Sequence, residues 1–253
     1  MRNLMFFAIL FLPLAAGGCN TGPSKAQLRR SAATILERQK TVAQPGIVAA
    51  TDLAFARMAQ DDGLWTAWRF YAAPGALMPG ENGVAPVINV LADRADPPEP
   101  IRWAPRQVWS SCDGTLAASV GRFARPNGIV GDYVTIWQLQ RDGTYRWVYG
   151  DSVPDEKQPA PTVTPDNPDP DTIVVTEINA IKGHTADCPR GGEPLPAPPS
   201  YTGQDAQFGQ GISNDRTLQY RWEYHPDGSP YVAIEWLREG AWREAFKLPV
   251  TPG

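Results

Sequence analysis

The chain predicts an α+β fold in which helices come first and an antiparallel meander follows. Three observations carry this. Residues 46–60 and 64–71 place apolar side chains at helical spacing. From residue 101 to 152 the pattern changes to period two, with Asp-Gly turns at 113–114 and 142–143. Residues 217–248 alternate again, as a second, smaller meander. Helices gathered ahead of strands exclude the alternating order of a parallel α/β sheet.

The elements follow in order. Residues 25–40 read as a helix with Leu28, Ala32, Ile35 and Leu36 on one side, interrupted by Pro45-Gly46. In the helix at 46–60 the apolar positions Val48, Leu53, Phe55, Ala56 and Met58 fit loosely the helical spacing expected of an inward stripe. Asp61-Asp62-Gly63 ends it, as a cap or turn rather than a catalytic acid pair. In the helix at 64–71, Trp65 and Trp68 share a face with Ala72 and are expected in the core. A short extended piece, 76–78, and a short helix, 84–92, close this half.

Strands are predicted at 101–103, 106–111, 115–124, 132–140 and 145–152. Tyr133, Thr135, Trp137 and Leu139 share one strand face; Tyr145, Trp147 and Tyr149 share another. Residues 153–172 are Pro-rich and read as a linker. The C-terminal β extension, 173–253, holds a β-like run at 173–181 and strands at 217–224, 231–237 and 242–248. Three strands alone are marginal, so this part is expected to pack on the first. Tyr145-Arg-Trp-Val-Tyr149 and Tyr220-Arg-Trp-Glu-Tyr224 look alike, with no repeat period behind them.

The N-terminus carries an address. One Arg precedes an apolar run, 4–14, and then Ala15-Ala16-Gly17-Gly18-Cys19. This is an export signal (1–18), too short to span a bilayer. The small residues before Cys19 resemble a bacterial lipobox, which implies a lipid on Cys19. Residues 19–45 would then be a tether and helix at the envelope, facing the periplasm. Ordinary secretory cleavage at the same bond, leaving a soluble periplasmic or secreted protein, is the alternative.

With Cys19 lipidated, Cys112 and Cys188 remain, either as a disulfide or as two free buried thiols. The chain has 23 Lys+Arg against 27 Asp+Glu, with no basic stripe, so nucleic acid is not an expected partner. Only two histidines, His184 and His225, occur, too few and too far apart for a metal site. Phosphate loops, nucleophile elbows and zinc-binding helices are absent, and no cofactor is expected.

Residues 46–152 resemble the SnoaL-like group of the nuclear transport factor 2-like superfamily. The stretches that carry the resemblance are Asp52-Leu-Ala-Phe-Ala-Arg-Met-Ala59, Gly63 through Leu77, Ile101-Arg-Trp103-Ala-Pro105, Gly131-Asp-Tyr133-Val-Thr-Ile-Trp137-Gln, and Asp142-Gly-Thr-Tyr145-Arg-Trp147. The resemblance implies helices packed into a strongly curved antiparallel sheet, a cone with a pocket at its mouth. It also implies a possible homodimer through the sheet's outer face. In isomerases of that superfamily a Tyr on the first helix forms an oxyanion hole and an Asp on the first strand moves the proton. Those places fall near Phe55 and near Pro79 or Gly80, which lack both groups; Glu81 is the nearest carboxylate.

Pocket candidates are therefore Trp103, Arg122, Tyr133, Trp137, Asp151 and Glu81, with no catalytic residue assigned. The expectation is a non-catalytic, membrane-tethered module that binds a small molecule or an envelope partner. Alternatives are an isomerase or lyase with a rearranged site, and a structural accessory of an envelope assembly.

Overall fold

The computed structural model describes residues 43–158, 180–189, 194–200 and 206–249. The export segment, Cys19, the helix at 25–40, residues 159–172 of the linker and most of the run at 173–181 lie outside these residues. No described helix is long and apolar enough to cross a membrane.

Helix α1 (Pro45–Asp61) starts on a proline whose fixed φ suits a first turn. Its buried face is Val48, Ala49, Asp52, Phe55, Ala56 and Ala59. An acid thus stands in the apolar stripe, whereas Leu53, predicted inside, is 43% exposed. Helix α2 (Leu64–Tyr71) has no cap of its own. Asp96 supplies one from a distance, accepting the Thr66 N–H at 3.0 Å and the Thr66 hydroxyl at 2.6 Å. Gly63 makes room for it, because a Cβ there would lie 2.4 Å from the Asp96 carboxyl carbon.

Strand β1 (Ala72–Gly80) and strand β2 (Gly83–Pro86) form a hairpin. The helix predicted at 84–92 shrinks to α3 (Val87–Val90), since Pro86 drives Ala85 into extended backbone. Strands β3 (Arg102–Ser110), β4 (Leu116–Ala124), β5 (Val130–Leu139) and β6 (Tyr145–Pro154) make the predicted meander. The full sheet has seven strands, ordered β2-β1-β6-β5-β4-β3-β7, with β7 at Lys182–Thr185. It is mixed, not antiparallel throughout: β1 runs parallel to β6 and β7 parallel to β3. Neither pair is joined by a hairpin turn, so nothing local forces the antiparallel sense.

The second sheet has four antiparallel strands: β8 (Gln207–Ile212), β9 (Leu218–Tyr224), β10 (Pro230–Arg238) and β11 (Ala241–Leu248). The sequence does not announce β8. Its Gly209 and Gly211 look like loop residues, yet they lie under Trp222 and Tyr220, where a Cβ would come within 2.6 and 2.5 Å of the rings.

The two sheets are copies of one meander. Ser111-Cys-Asp-Gly-Thr-Leu116 recurs as Ser213-Asn-Asp-Arg-Thr-Leu218, and Tyr133-Val-Thr-Ile136 as Tyr231-Val-Ala-Ile234. Registers match: Ala118 faces Ile136 as Tyr220 faces Ile234. The ladder slips at the same place, after Ile136 and after Ile234. The look-alike pair noted in the sequence is therefore a false alignment of a real repeat. The two Asp turns grip each other reciprocally. Asp113 N–H donates to Asp215 at 2.7 Å and Asp215 N–H donates to Asp113 at 3.0 Å. Cys112 N–H reaches the Thr217 hydroxyl as Asn214 N–H reaches that of Thr115.

One face of the first sheet packs under α1 and α2 through Val108, Ala117, Trp137 and Trp147. Its far face packs on the second sheet through Leu116, Val120, Val134, Ile136 and Tyr149 against Leu218, Trp222, Val232, Ile234 and Leu248. The ladder slip after Ile136 separates the predicted aromatic row. Trp147 stays under the helices, while Tyr149 turns to the far face and stacks on Trp222 with centroids 5.2 Å apart. On the second sheet, Glu235 and Glu244 pair where Trp137 and Trp147 pair on the first. Charge there offers no apolar floor, and among the described residues only the first sheet carries a helix-covered face.

Cys112 and Cys188 form a disulfide, Cα–Cα 5.1 Å, which points to an oxidising compartment. It fastens the 182–188 segment, whose Asp187 N–H also reaches the Leu237 carbonyl of the second sheet.

Candidate functional site

A cavity of about 320 Å³ opens between α1, α2 and the helix-covered sheet face. Six aromatic side chains line it: Phe55, Trp65, Trp68, Trp103, Phe123 and Tyr133. Leu64, Met78 and Ile101 add aliphatic surface, and Arg94 and Arg125 supply the cationic groups. Such a lining suits a small, largely apolar molecule with a few placed polar groups.

Asp52 organises the wall. Its side chain is 0% exposed. One oxygen accepts the Trp103 indole N–H at 2.9 Å, and the other accepts the Tyr133 hydroxyl at 2.8 Å. Ser119 also bonds Asp52 and accepts the Trp137 indole N–H at 2.9 Å. A helical acid thereby fixes three strands of the sheet beneath it. Burial raises the Asp52 carboxyl, and the bonds from Ser119, Trp103 and Tyr133 oppose that rise. The Tyr133 hydroxyl is pushed well above its ordinary range by burial, then by the Asp52 charge and hydrogen bond. It stays protonated, and its one proton is committed to Asp52.

The other wall groups are equally placed by their neighbours. Phe55 meets Trp103 edge-on at 4.8 Å and Trp68 at 5.6 Å. The Trp147 indole donates to the Trp68 carbonyl at 3.0 Å and fixes that turn of α2. Arg94 stands two residues before Asp96, which pins this segment to α2, while Arg69 donates to the Arg94 carbonyl at 2.8 Å. Arg125 begins the β4–β5 turn, whose Arg125 N–H meets the Ile129 carbonyl at 2.8 Å.

The sequence candidates divide. Trp103 and Tyr133 line the cavity, and Trp137 lies fully buried beneath it. Asp151 borders it, but strand alternation puts its carboxylate on Tyr149's face, where it accepts the Tyr149 hydroxyl at 2.7 Å. Burial pushes the Asp151 carboxyl up to about 6. Arg122 is not a cavity group. It opposes Asp132 in the ladder, bonds it at 2.9 Å and pairs with Asp155, which binds β4, β5 and the end of β6. Glu81 does not line this cavity: it sits in the β1–β2 turn with its side chain 87% exposed.

Sequence reasoning missed Asp52, Arg94 and Arg125, and placed Trp65 and Trp68 in the core. Asp52 did carry a signal, standing one turn after Val48 and one before Phe55 in the apolar stripe. Among the described residues, no three His, Cys, Asp or Glu side chains gather as a metal would require. No family model matches the chain, and no curated protein matches it.

Proposed function

We propose that this chain is a membrane-tethered envelope lipoprotein whose helix-covered sheet face is a SnoaL-like cone that binds a small apolar molecule without transforming it. The carrying observation is the direction of the wall's polar groups. The Trp103 N–H and the Tyr133 hydroxyl both point at Asp52 and not at the cavity. Enolising chemistry needs a free donor for the developing oxyanion and a base within reach. The Trp103 and Tyr133 donors are spent on Asp52, whose carboxylate is sealed behind them. What these two residues present to a ligand is ring surface. The lipid tether rests on Cys19 and its preceding small residues. The second sheet covers the outer face through which a homodimer of such cones would form, so the protein is proposed to act without that dimer.

Gly150 provides the test. It lines the cavity, and a Cβ there would touch the Trp68 ring at 3.4 Å without clashing. Gly150→Leu should fill the cavity and keep the fold. Phenylnaphthylamine, a neutral fluorescent apolar probe, should bind the wild type saturably with one site and the variant not at all. Equal binding to both would place the probe elsewhere and overturn the reading.

A relocated isomerase or lyase site is the second reading. It requires the Asp151 carboxyl, raised to about 6, to leave the Tyr149 hydroxyl on the far sheet face and turn to the cavity that its backbone borders. Under that reading, turnover of a ketone or hydroxy-acyl substrate would be abolished in Asp151→Asn while probe binding persists.

A further inference from the structure

We propose that the cavity takes a flat apolar molecule bearing one anionic group, and that Arg125 and Arg94 hold that group at the mouth. The inference rests on the binding reading above and names its ligand class. Both guanidinium groups line the cavity, and each lies over a wall ring: Arg125 over Phe123 at 5.5 Å and Arg94 over Trp65 at 5.6 Å. A guanidinium held over a ring is positioned by that ring and keeps N–H groups for an acceptor. Those groups match a carboxylate, sulfonate or phosphate in two-point geometry.

Neither set is well used within the protein. The Arg125 Nε is buried and has no hydrogen-bond partner among the described residues. A buried donor without an acceptor is costly, and an incoming anion would relieve it. Arg94 has one carboxylate partner among the described residues, Glu81 at 3.8 Å, whose side chain is 87% exposed. So loose an exposed pair exchanges readily for a ligand anion. Two other arginines of this half are committed. Arg122 holds two aspartates, and Arg69 donates to the Leu91 and Arg94 carbonyls.

The negative groups nearby do not oppose this arrangement at the mouth. Asp52 is closed behind Trp103 and Tyr133, and the Asp151 carboxylate turns to Tyr149. The apolar body would lie on Trp65, Trp68 and Trp103, with the anion outward. A cation seated in the same ring cage would face two arginines, which is why an anion is inferred.

Two dyes separate this inference from the reading beneath it. Anilinonaphthalene sulfonate and phenylnaphthylamine share their rings and differ by the sulfonate. In the wild type the sulfonate should bind tighter than its neutral parent by about ten-fold or more, the scale of one charge-assisted pair. Arg125→Met should bring that ratio to near unity, and Arg94→Met should lower it several-fold. Arg125→Lys keeps the charge but not Nε, so it should give an intermediate ratio; it serves if the Met variant does not fold. A wild-type ratio near unity with both dyes bound would overturn the anion inference and leave the cavity standing. So would an unchanged ratio in Arg125→Met and Arg125→Lys. Failure of both dyes to bind the wild type would overturn the binding reading, and this inference with it.

Discussion

Asp52→Ala should cost about 3–5 kcal/mol of folding stability, the range for breaking a buried charged network by removing one partner. The side chain is 0% exposed and gathers Trp103, Tyr133 and Ser119. Alanine would leave these donors in an apolar interior, and each unsatisfied donor costs about 1–3 kcal/mol. Relief of the buried charge offsets part of that sum. Asp52→Asn should be milder, about 1–3 kcal/mol, because its oxygen still accepts while its amide meets a donor. Urea midpoints at constant slope give both values. A loss below about 1 kcal/mol for Asp52→Ala would mean that the wall does not depend on the acid.

Asp151 should behave in the opposite sense. Its carboxyl is raised from 3.8 to about 6, with burial the largest cause. The folded state therefore keeps the proton longer than the unfolded one. Stability is fully present below about pH 4 and declines as pH rises to about 6. Asp151→Asn keeps an acceptor for Tyr149 and removes that decline. At pH 7 it should be more stable than the wild type by about 1–3 kcal/mol, and at pH 4 nearly equal to it. Parallel stability curves for the two proteins between pH 4 and 7 would contradict this sign.

Removing the disulfide is the second large effect. Cys112 and Cys188 are 76 residues apart, so in the chain-entropy model the bridge contributes about 4–5 kcal/mol. The Cys112→Ser, Cys188→Ser double variant should lose about that much, with the reduced wild type falling beside it. The reciprocal Asp113–Asp215 grip and β7 pairing remain without the bridge, so the fold should persist at low temperature. An unchanged urea midpoint on reduction would show that the bridge adds nothing. The bridge secures the segment that joins both sheets at the end of the molecule away from Arg125.

The sequence made the strands of both meanders readable because each alternates between turn residues of strong preference. Leu116–Ala124 and Leu218–Tyr224 follow Asp-Gly and Asp-Arg turns of the same build. What stayed hidden depends on contacts between distant residues. The glycines of β8 take their meaning from Trp222 and Tyr220. Tyr149 changes face because of one slip in the β5–β6 ladder, which reverses every later side chain on that strand. The repeat was obscured because Trp137 and Trp147 are matched by Glu235 and Glu244, so the two copies differ where, among the described residues, only the first carries helices.

The candidate site was legible only in part, for the same reason. Trp103 and Tyr133 could be placed on the right sheet face, but not their common partner on a helix. Arg122 looked like a pocket cation until its two aspartates were in view. Arg94 and Arg125 sit in loop segments whose positions are set by Asp96 and by a tight hairpin turn. No periodicity reports such positions.

The central claim is that the Trp103 and Tyr133 donors serve Asp52, so that these two residues present ring surface to a bound molecule. Hydrogen exchange of the Trp103 indole proton, followed by NMR with and without saturating phenylnaphthylamine, tests it most directly. The account predicts that this resonance is protected in the free protein, shifts as the probe fills the cavity, and stays protected. An unshifted resonance at saturation, or protection lost on binding, would contradict it.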